Sequence, residues 1–87
     1  MPTTTVQSAV TLKASAGIIR AVNVCVAGST DGMVCDAAST GAAAATNAVL
    51  GCSSTQARAE PIVLPIPCAT GITVVPGTGQ TIWVNWE

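Results

Sequence analysis

Four cysteines and the lack of any histidine set the chemistry that this chain can offer. The cysteines stand at positions 25, 35, 52 and 68, and no two of them form a Cys-x-x-Cys pair. A structural zinc site normally contains closely spaced ligand pairs, so we do not expect a bound metal. Without a histidine base, Cys25 and Cys35 are interpreted as small hydrophobic residues rather than as nucleophiles.

No other group of residues has the arrangement of a catalytic centre. The four carboxylates are scattered without a recognisable dyad, and no serine or threonine has the context of a nucleophile elbow. The Asp31-Gly32 step indicates a turn, because a calcium loop needs spaced Asp and Asn ligands. Residues 76–79, Pro-Gly-Thr-Gly, lack the Lys-Ser/Thr ending of a phosphate loop. We therefore predict a protein that is not an enzyme and uses no cofactor.

The low charge content indicates an assembled protein. Only 8% of the 87 residues are Asp, Glu, Lys or Arg, against about 25% in a typical soluble domain, and the net charge is -1. Such a surface gives little electrostatic repulsion between copies. We expect a structural subunit, a homo-oligomer whose neighbours cover much of its surface. The alternative is a surface solvated by its many Ser and Thr side chains.

Composition also bears on partners and location. There is no basic patch, so we do not expect nucleic-acid binding. No run of about 20 apolar residues is present, so we expect no transmembrane helix and no membrane partner. The first eight residues lack the features of a secretory signal. We expect a chain that is made and kept in the cytoplasm, unless the numbering begins after processing.

The C-terminal residues 71–87 give the clearest structural signal. Around a Pro-Gly-Thr-Gly cluster, two sets of residues alternate: Ile72 and Val74 with Thr73 and Val75, then Ile82, Val84 and Trp86 with Thr81, Trp83, Asn85 and Glu87. This pattern predicts two strands joined by a tight hairpin turn. Alternation puts Trp83 and Trp86 on opposite faces, with Trp86 toward the core. Trp83 then either contacts another chain or is covered within the domain.

A second hairpin is predicted around the Asp-Gly turn. Residues 18–27 are apolar and β-branched, which favours a strand with two apolar faces, and residues 33–36 form the return strand. If this hairpin is centred on Thr30, Cys25 and Cys35 lie directly opposite each other, with Cβ atoms about 4.5–5.5 Å apart. This predicts a close thiol pair, or a disulfide if the strands approach slightly more closely.

The N-terminal part divides the chain into two predicted regions. Residues 1–13 are expected to be an extended arm or an edge strand, and residues 14–87 a single β-sandwich domain. Within the arm, the candidates for burial are Val6, Ala9, Val10 and Leu12.

The middle of the chain adds shorter elements. The alanine-rich residues 37–47 indicate a loop with at most one helical turn, and residues 48–52 a short strand. Residues 53–60 are polar and indicate a loop. Residues 61–67 are bounded by prolines, which lack an N–H, so they are expected to form an edge or bulged strand.

The whole pattern predicts an all-β protein, a small antiparallel β-sandwich or barrel of five to seven short strands. Its predicted core consists of Ile18, Val22, Val24, Val34, Val49, Leu50, Ile62, Leu64, Ile66, Ile72, Val74, Ile82, Val84 and Trp86.

A family resemblance rests on the order of five segments within roughly residues 10–87. The segments are Ala16-Gly17-Ile18-Ile19, Val34-Cys35-Asp36, the Ala/Gly/Thr-rich stretch into the strand at 42–50, Thr70-Gly71-Ile72-Thr73-Val74-Val75, and the alternating strand 81–87. In this order the chain resembles a group of small structural virion proteins of tailed bacteriophages. It departs from their pattern in its four cysteines and in Trp, where the final strand often has Val or Tyr.

The resemblance implies a non-enzymatic β-sandwich displayed many times on a virus particle. The first hypothesis is a capsid decoration (cement) protein. It would be made in the host cytoplasm, would bind the outer surface of the major capsid protein lattice and would stabilise the head. Partner contacts are expected from Trp83 and from an N-terminal arm containing Thr3, Thr4 and Thr5. The alternatives are a neck, tail or fibre-associated subunit, and a small carbohydrate-binding β-sandwich in which Trp83 stacks on a sugar.

Overall fold

The computed structural model describes residues 3–52 and 62–87, which form eight β-strands and one turn of 3₁₀ helix, Ala45–Asn47. The strands are β1 Thr3–Val6, β2 Val10–Lys13, β3 Gly17–Val26, β4 Gly32–Cys35, β5 Ala48–Cys52, β6 Ile62–Cys68, β7 Ile72–Val75 and β8 Thr81–Trp86. Sheet 1 has the order β1-β8-β3-β6, and sheet 2 has the order β2-β7-β4-β5. All pairings are antiparallel. The predicted all-β sandwich is confirmed, with eight strands where five to seven were expected.

The predicted C-terminal hairpin is wrong. β7 lies in sheet 2 and β8 in sheet 1, so residues 76–80 cross from one sheet to the other. In the crossing, Gly79 adopts a φ of 74°, which favours glycine. The side chain of Gln80 is buried, and its Oε1 accepts a hydrogen bond of 2.9 Å from the N–H of Gly77. Alternation identifies the buried face of each strand correctly, but the two strands face each other across the core.

The predicted hairpin between residues 18–27 and 33–36 is wrong for the same reason. β3 belongs to sheet 1 and β4 to sheet 2, and the intervening loop crosses between them. Two close contacts join this loop to the 76–80 crossing: the Ser29 N–H donates to the Thr78 carbonyl at 2.8 Å, and the Thr78 N–H donates to Thr30 Oγ1 at 2.8 Å. Two crossings at the same end of the sandwich therefore support each other.

The core lies between the inner faces of the two sheets. Its fully or nearly fully buried hydrophobic members are Val6, Ile19, Val22, Val24, Val34, Cys68, Ile72, Val74, Ile82 and Val84, and Leu12, Val49, Leu50, Ile66 and Trp86 pack against them while partly buried. Most of the predicted core is thereby confirmed. The side chains of Ile62 and Leu64 lie outside the described residues.

A β-bulge changes one predicted core position. The register of β3 against both of its neighbours shifts between Ile19 and Ala21, which reverses the alternation at that point. Ile19 is consequently buried completely, whereas Ile18 is only half-buried. The prediction that Ile18 faces the core is wrong, because a strictly period-two pattern does not contain the extra residue.

The strands β1, β2 and β6, at edges of the two sheets, lie in parts of the sequence where an edge strand was predicted. β6 lies at the end of sheet 1, which confirms the edge position predicted from its prolines. The predicted loop at residues 53–60 lies outside the described residues. At the N-terminal end, β1 pairs with β8 in sheet 1 and β2 pairs with β7 in sheet 2. Val6 is buried in this segment and Leu12 is half-buried, whereas Ala9 and Val10 are exposed.

Candidate functional site

The outer face of sheet 1 displays an uncharged surface around a tryptophan. Ile82 and Val84 of β8 are buried, so the alternating Trp83 and Asn85 point away from the core. Trp83 is half-buried and lies between Thr5 of β1 and Asn23 of β3 in the strand register. We use the name Trp83 face for this surface, whose members are Thr3, Thr5, Ala21, Asn23, Trp83 and Asn85.

Cross-strand hydrogen bonds organise the Trp83 face at its β1 edge. Asn85 Nδ2 donates to Thr3 Oγ1 at 3.1 Å, and on the inner side Trp86 Nε1 donates to Thr4 Oγ1 at 3.5 Å. Both tryptophans thus sit in the strand that holds β1 in place. The face combines a broad aromatic ring with amide and hydroxyl groups, a composition suited to contact with an uncharged partner surface.

Part of the outer face of sheet 2 is covered by the chain itself. Cys35 and Thr73 are both buried completely, although they alternate with the core residues of their strands. The alanine-rich segment covers them: Thr73 Oγ1 donates to the Ala37 carbonyl at 2.9 Å, and Cys35 Sγ lies 3.7 Å from the Ala44 carbonyl. The predicted loop with one helical turn therefore has a structural role, and the two sheets differ in what their outer faces meet.

An open cleft of about 650 Å³ lies at the end of the sandwich where β3 begins and β8 ends. We call it the end cleft, and it is lined by Lys13, Ala16, Gly17, Ile18, Asp36, Pro67, Cys68, Ala69 and Glu87. Three of its lining residues are charged, in a chain with very few charges. Segments that carry the family resemblance meet here, although they are far apart in the sequence.

Asp36 in the end cleft joins β4 to the turn between β6 and β7. Its carboxylate accepts hydrogen bonds from three successive N–H groups, those of Ala69 at 3.2 Å, Thr70 at 2.8 Å and Gly71 at 3.2 Å. The hydrogen bond from Thr70 is the main reason why the pKa of Asp36 is lowered; desolvation opposes it, and the hydrogen bonds from Gly71 and Ala69 add to the lowering. This carboxylate is therefore a stable anion that serves as a structural clamp.

Glu87 closes the opposite wall of the end cleft. Its backbone exchanges two hydrogen bonds with Ile18, at 2.8 and 2.9 Å, and its carboxylate forms an ion pair with Arg20. Gly17 is packed so tightly here that an added Cβ would lie 2.6 Å from the Glu87 carbonyl oxygen. Since both acidic side chains of the cleft have partners within the chain, neither has the freedom expected of a general base.

The cysteines are not arranged for chemistry in the described residues. Cys25 and Cys35 lie in different sheets, with Cys25 exposed and Cys35 buried, and both are free thiols. The predicted thiol pair is wrong because it rested on the hairpin that the structure replaces with a crossing. Cys68 is also a free, buried thiol. Burial raises the pKa of the Cys35 and Cys68 thiols, and the negative charge of Asp36 raises that of Cys68 further.

The other predicted contact residues lie together. Trp83 and the three threonines occupy adjacent strands, and Thr3 and Thr5 are exposed while Thr4 is half-buried. Sequence reasoning missed Asn23 and Asn85 as members of the same face. The signal was available, because Asn85 is two residues from Trp83 on an alternating strand, but the pairing of β3 with β8 was not predicted.

Within residues 3–52 and 62–87, no group of three or more His, Cys, Asp or Glu side chains is placed to hold a metal ion. In the same ranges, no helix has the length and apolar character needed to cross a membrane. No protein-family model, curated protein or solved structure matches the chain.

Proposed function

We propose that this protein is a non-enzymatic structural protein of a tailed-bacteriophage virion, and specifically a capsid decoration protein. In this role it binds the outer surface of the major capsid protein lattice, bridges neighbouring capsomers and stabilises the head. It is made in the host cytoplasm and resides on the capsid surface.

The observation that carries the proposal is the difference between the two outer sheet faces. The alanine-rich segment covers the part of sheet 2 around Cys35 and Thr73, whereas sheet 1 presents the uncharged Trp83 face with a half-buried tryptophan at its centre. Interface cores are depleted in charged residues and enriched in aromatic ones, and a central tryptophan is a frequent hot spot. We therefore assign the contact with the capsid lattice to the Trp83 face.

The contacts between the segments that carry the family resemblance support the same proposal. The Asp of the Val34-Cys35-Asp36 step binds the N–H groups of the Thr70-Gly71 step, and the Gly17-Ile18 step pairs with Glu87. The residues on which the resemblance rests are thus the residues that hold one end of the sandwich together.

The test is binding of the purified chain to capsids assembled from the major capsid protein alone. We expect saturable binding. We expect W83A to weaken the affinity at least tenfold, because a hot-spot tryptophan contributes about 2 kcal/mol or more to binding. V10A is the matched control, since Val10 is an exposed apolar residue in sheet 2, 38% accessible, away from the Trp83 face. Equal loss of binding in both variants, or no binding by the wild-type chain, would contradict the proposal.

One observation favours a second candidate, a carbohydrate-binding β-sandwich. Asn23 neighbours Trp83 directly across the strands and Asn85 lies two residues along β8, so the ring is accompanied by amide groups of the kind that bind sugar hydroxyls. A glycan array distinguishes the two functions. Glycan binding that W83A abolishes, together with absence of capsid binding, would favour the second candidate.

A further inference from the structure

Four strands form the edges of the two sheets, and they are not equally protected against pairing with another strand. An edge strand presents unpaired N–H and C=O groups, and proteins commonly block such edges with proline, charge or a bulge. β6 carries Pro65 and Pro67, and β2 contains Lys13 and an irregular register. β5 contains an extra residue, Val49, in its pairing with β4. Three of the four edges in the described part of the chain therefore carry a protective feature.

β1 is the edge without such a feature. Its four residues, Thr3–Val6, pair with β8 without any register shift, and all four are uncharged and β-branched. The hydrogen bonds from Asn85 to Thr3 and from Trp86 to Thr4 hold the side chains of this strand in position. β1 is thus an ordered, regular strand of high β propensity with one free edge.

We propose that β1 pairs with β1 of a second copy of this chain in an antiparallel arrangement. Residues that oppose each other across an antiparallel pair point to the same face of the sheet, which limits the register. In the register that places Thr4 on the two-fold axis, Thr4 lies opposite Thr4 of the second copy and Thr3 lies opposite Thr5, while Val6 lies beyond these pairs. The dimer then contains one continuous sheet built from both copies of sheet 1.

The properties of β1 favour a second copy over a different strand. The pairing is self-complementary, because the cross-strand pairs formed by residues 3–5 in this register all join threonine to threonine, a favourable combination. β1 carries no charged residue, so two copies of the strand do not repel each other. The contact also closes on itself, since both copies use the same strand. The two outer edges of the joined sheet are β6 strands, whose prolines discourage further addition.

The dimer has a structural consequence for the Trp83 face. Thr3 and Thr5 are members of that face, so pairing at β1 joins the faces of both copies into one uncharged surface with two tryptophans. The inference does not depend on the virion assignment. Its test uses the purified chain alone, whereas the test of the proposed function uses capsids, so either can fail without the other.

The first measurement is the mass of the full wild-type chain by sedimentation equilibrium and native mass spectrometry. We expect a dimer of twice 8.6 kDa that dissociates on dilution. In T3K/T5K each lysine opposes a lysine of the second copy, and we expect the dissociation constant to rise roughly tenfold or more. The matched control is A48K/G51K, which adds the same two charges at exposed positions of the β5 edge and should leave the dimer intact.

Charge complementation separates loss of pairing from loss of folding. We expect T3E/T5E to be monomeric alone and to form a heterodimer when it is mixed with T3K/T5K. If the variants do not fold, hydrogen exchange of the wild-type chain provides the second measurement: the β1 amides that point away from β8 should be protected at dimer concentrations and lose protection on dilution. A monomeric wild-type chain, a dimer that only A48K/G51K dissociates, or protection of the outward-pointing β1 amides that does not depend on concentration would overturn the proposal.

Discussion

The Asp36 clamp allows the architecture to be tested at a single residue. Its carboxylate accepts hydrogen bonds from three successive N–H groups of the turn between β6 and β7, and it follows directly after β4. The D36A substitution leaves these three donors without their charged acceptor and releases the turn from β4. The turn leads directly into β7, whose side chains are almost all buried. We therefore expect the loss of these hydrogen bonds to disturb the packing of the core.

The magnitude follows from the contacts. A hydrogen bond to a charged group contributes about 1.5–3 kcal/mol, and water replaces part of that at a half-buried position. We expect D36A to lower the free energy of unfolding by about 2–3 kcal/mol. In a domain of this size each kcal/mol corresponds to about 4–8 °C, so the Tm should fall by about 8–24 °C. Urea and thermal unfolding followed by tryptophan fluorescence measure both quantities.

One control variant and the pH dependence complete this test. D31A removes the same charge from an exposed loop at the other end of β4 and should cost less. The pKa of Asp36 is lowered in the folded chain, so its contribution is complete above the unfolded value of about 3.9 and is lost as the pH falls through the folded pKa. The wild type and D36A should therefore converge in stability in strong acid. A D36A variant within about 0.5 kcal/mol of wild type at neutral pH would refute the reasoning.

Three further predictions concern the core and the thiols. We expect G17A to lower the free energy of unfolding by about 1–3 kcal/mol, measured by urea titration, because the new Cβ would meet the carbonyl oxygen of Glu87. I19A should cost about 2–5 kcal/mol and I18A less than half as much, since the bulge buries Ile19 and leaves Ile18 half-buried; equal losses would argue against the bulge. In the native chain at neutral pH a maleimide should modify Cys25 much faster than the buried thiols of β4 and β6, as peptide mass spectrometry can show, and equal rates would contradict their burial.

The sequence contained the local structure but not the pairing of strands. The alternating pattern of residues 72–75 and 81–87 gave the buried faces of β7 and β8 correctly. The same pattern arises whether two strands are neighbours in one sheet or face each other across a core, because alternation reports burial and not partnership. The prediction assumed that the two strands are neighbours in one sheet, whereas in the structure the chain crosses from one sheet to the other between them.

For the candidate site, too, the sequence predicted the faces of single strands but not the contacts between strands. Trp83 could be placed on an outer face from alternation alone, and the prolines located the edge strand β6. The end cleft could not be predicted, because Asp36 and Thr70 are brought together only by the order of strands in both sheets. The burial of Ile19 depended on a bulge, and the extra residue of a bulge has no period in the sequence.

The copy number of this chain per virion, relative to the major capsid protein, tests the proposed function most directly. Quantitative mass spectrometry of purified virions provides it. A decoration protein spread over the lattice predicts a ratio near one or a simple fraction of one. A copy number in single digits or low tens would contradict decoration and indicate a neck or tail subunit, and absence from the particle would contradict the virion assignment itself.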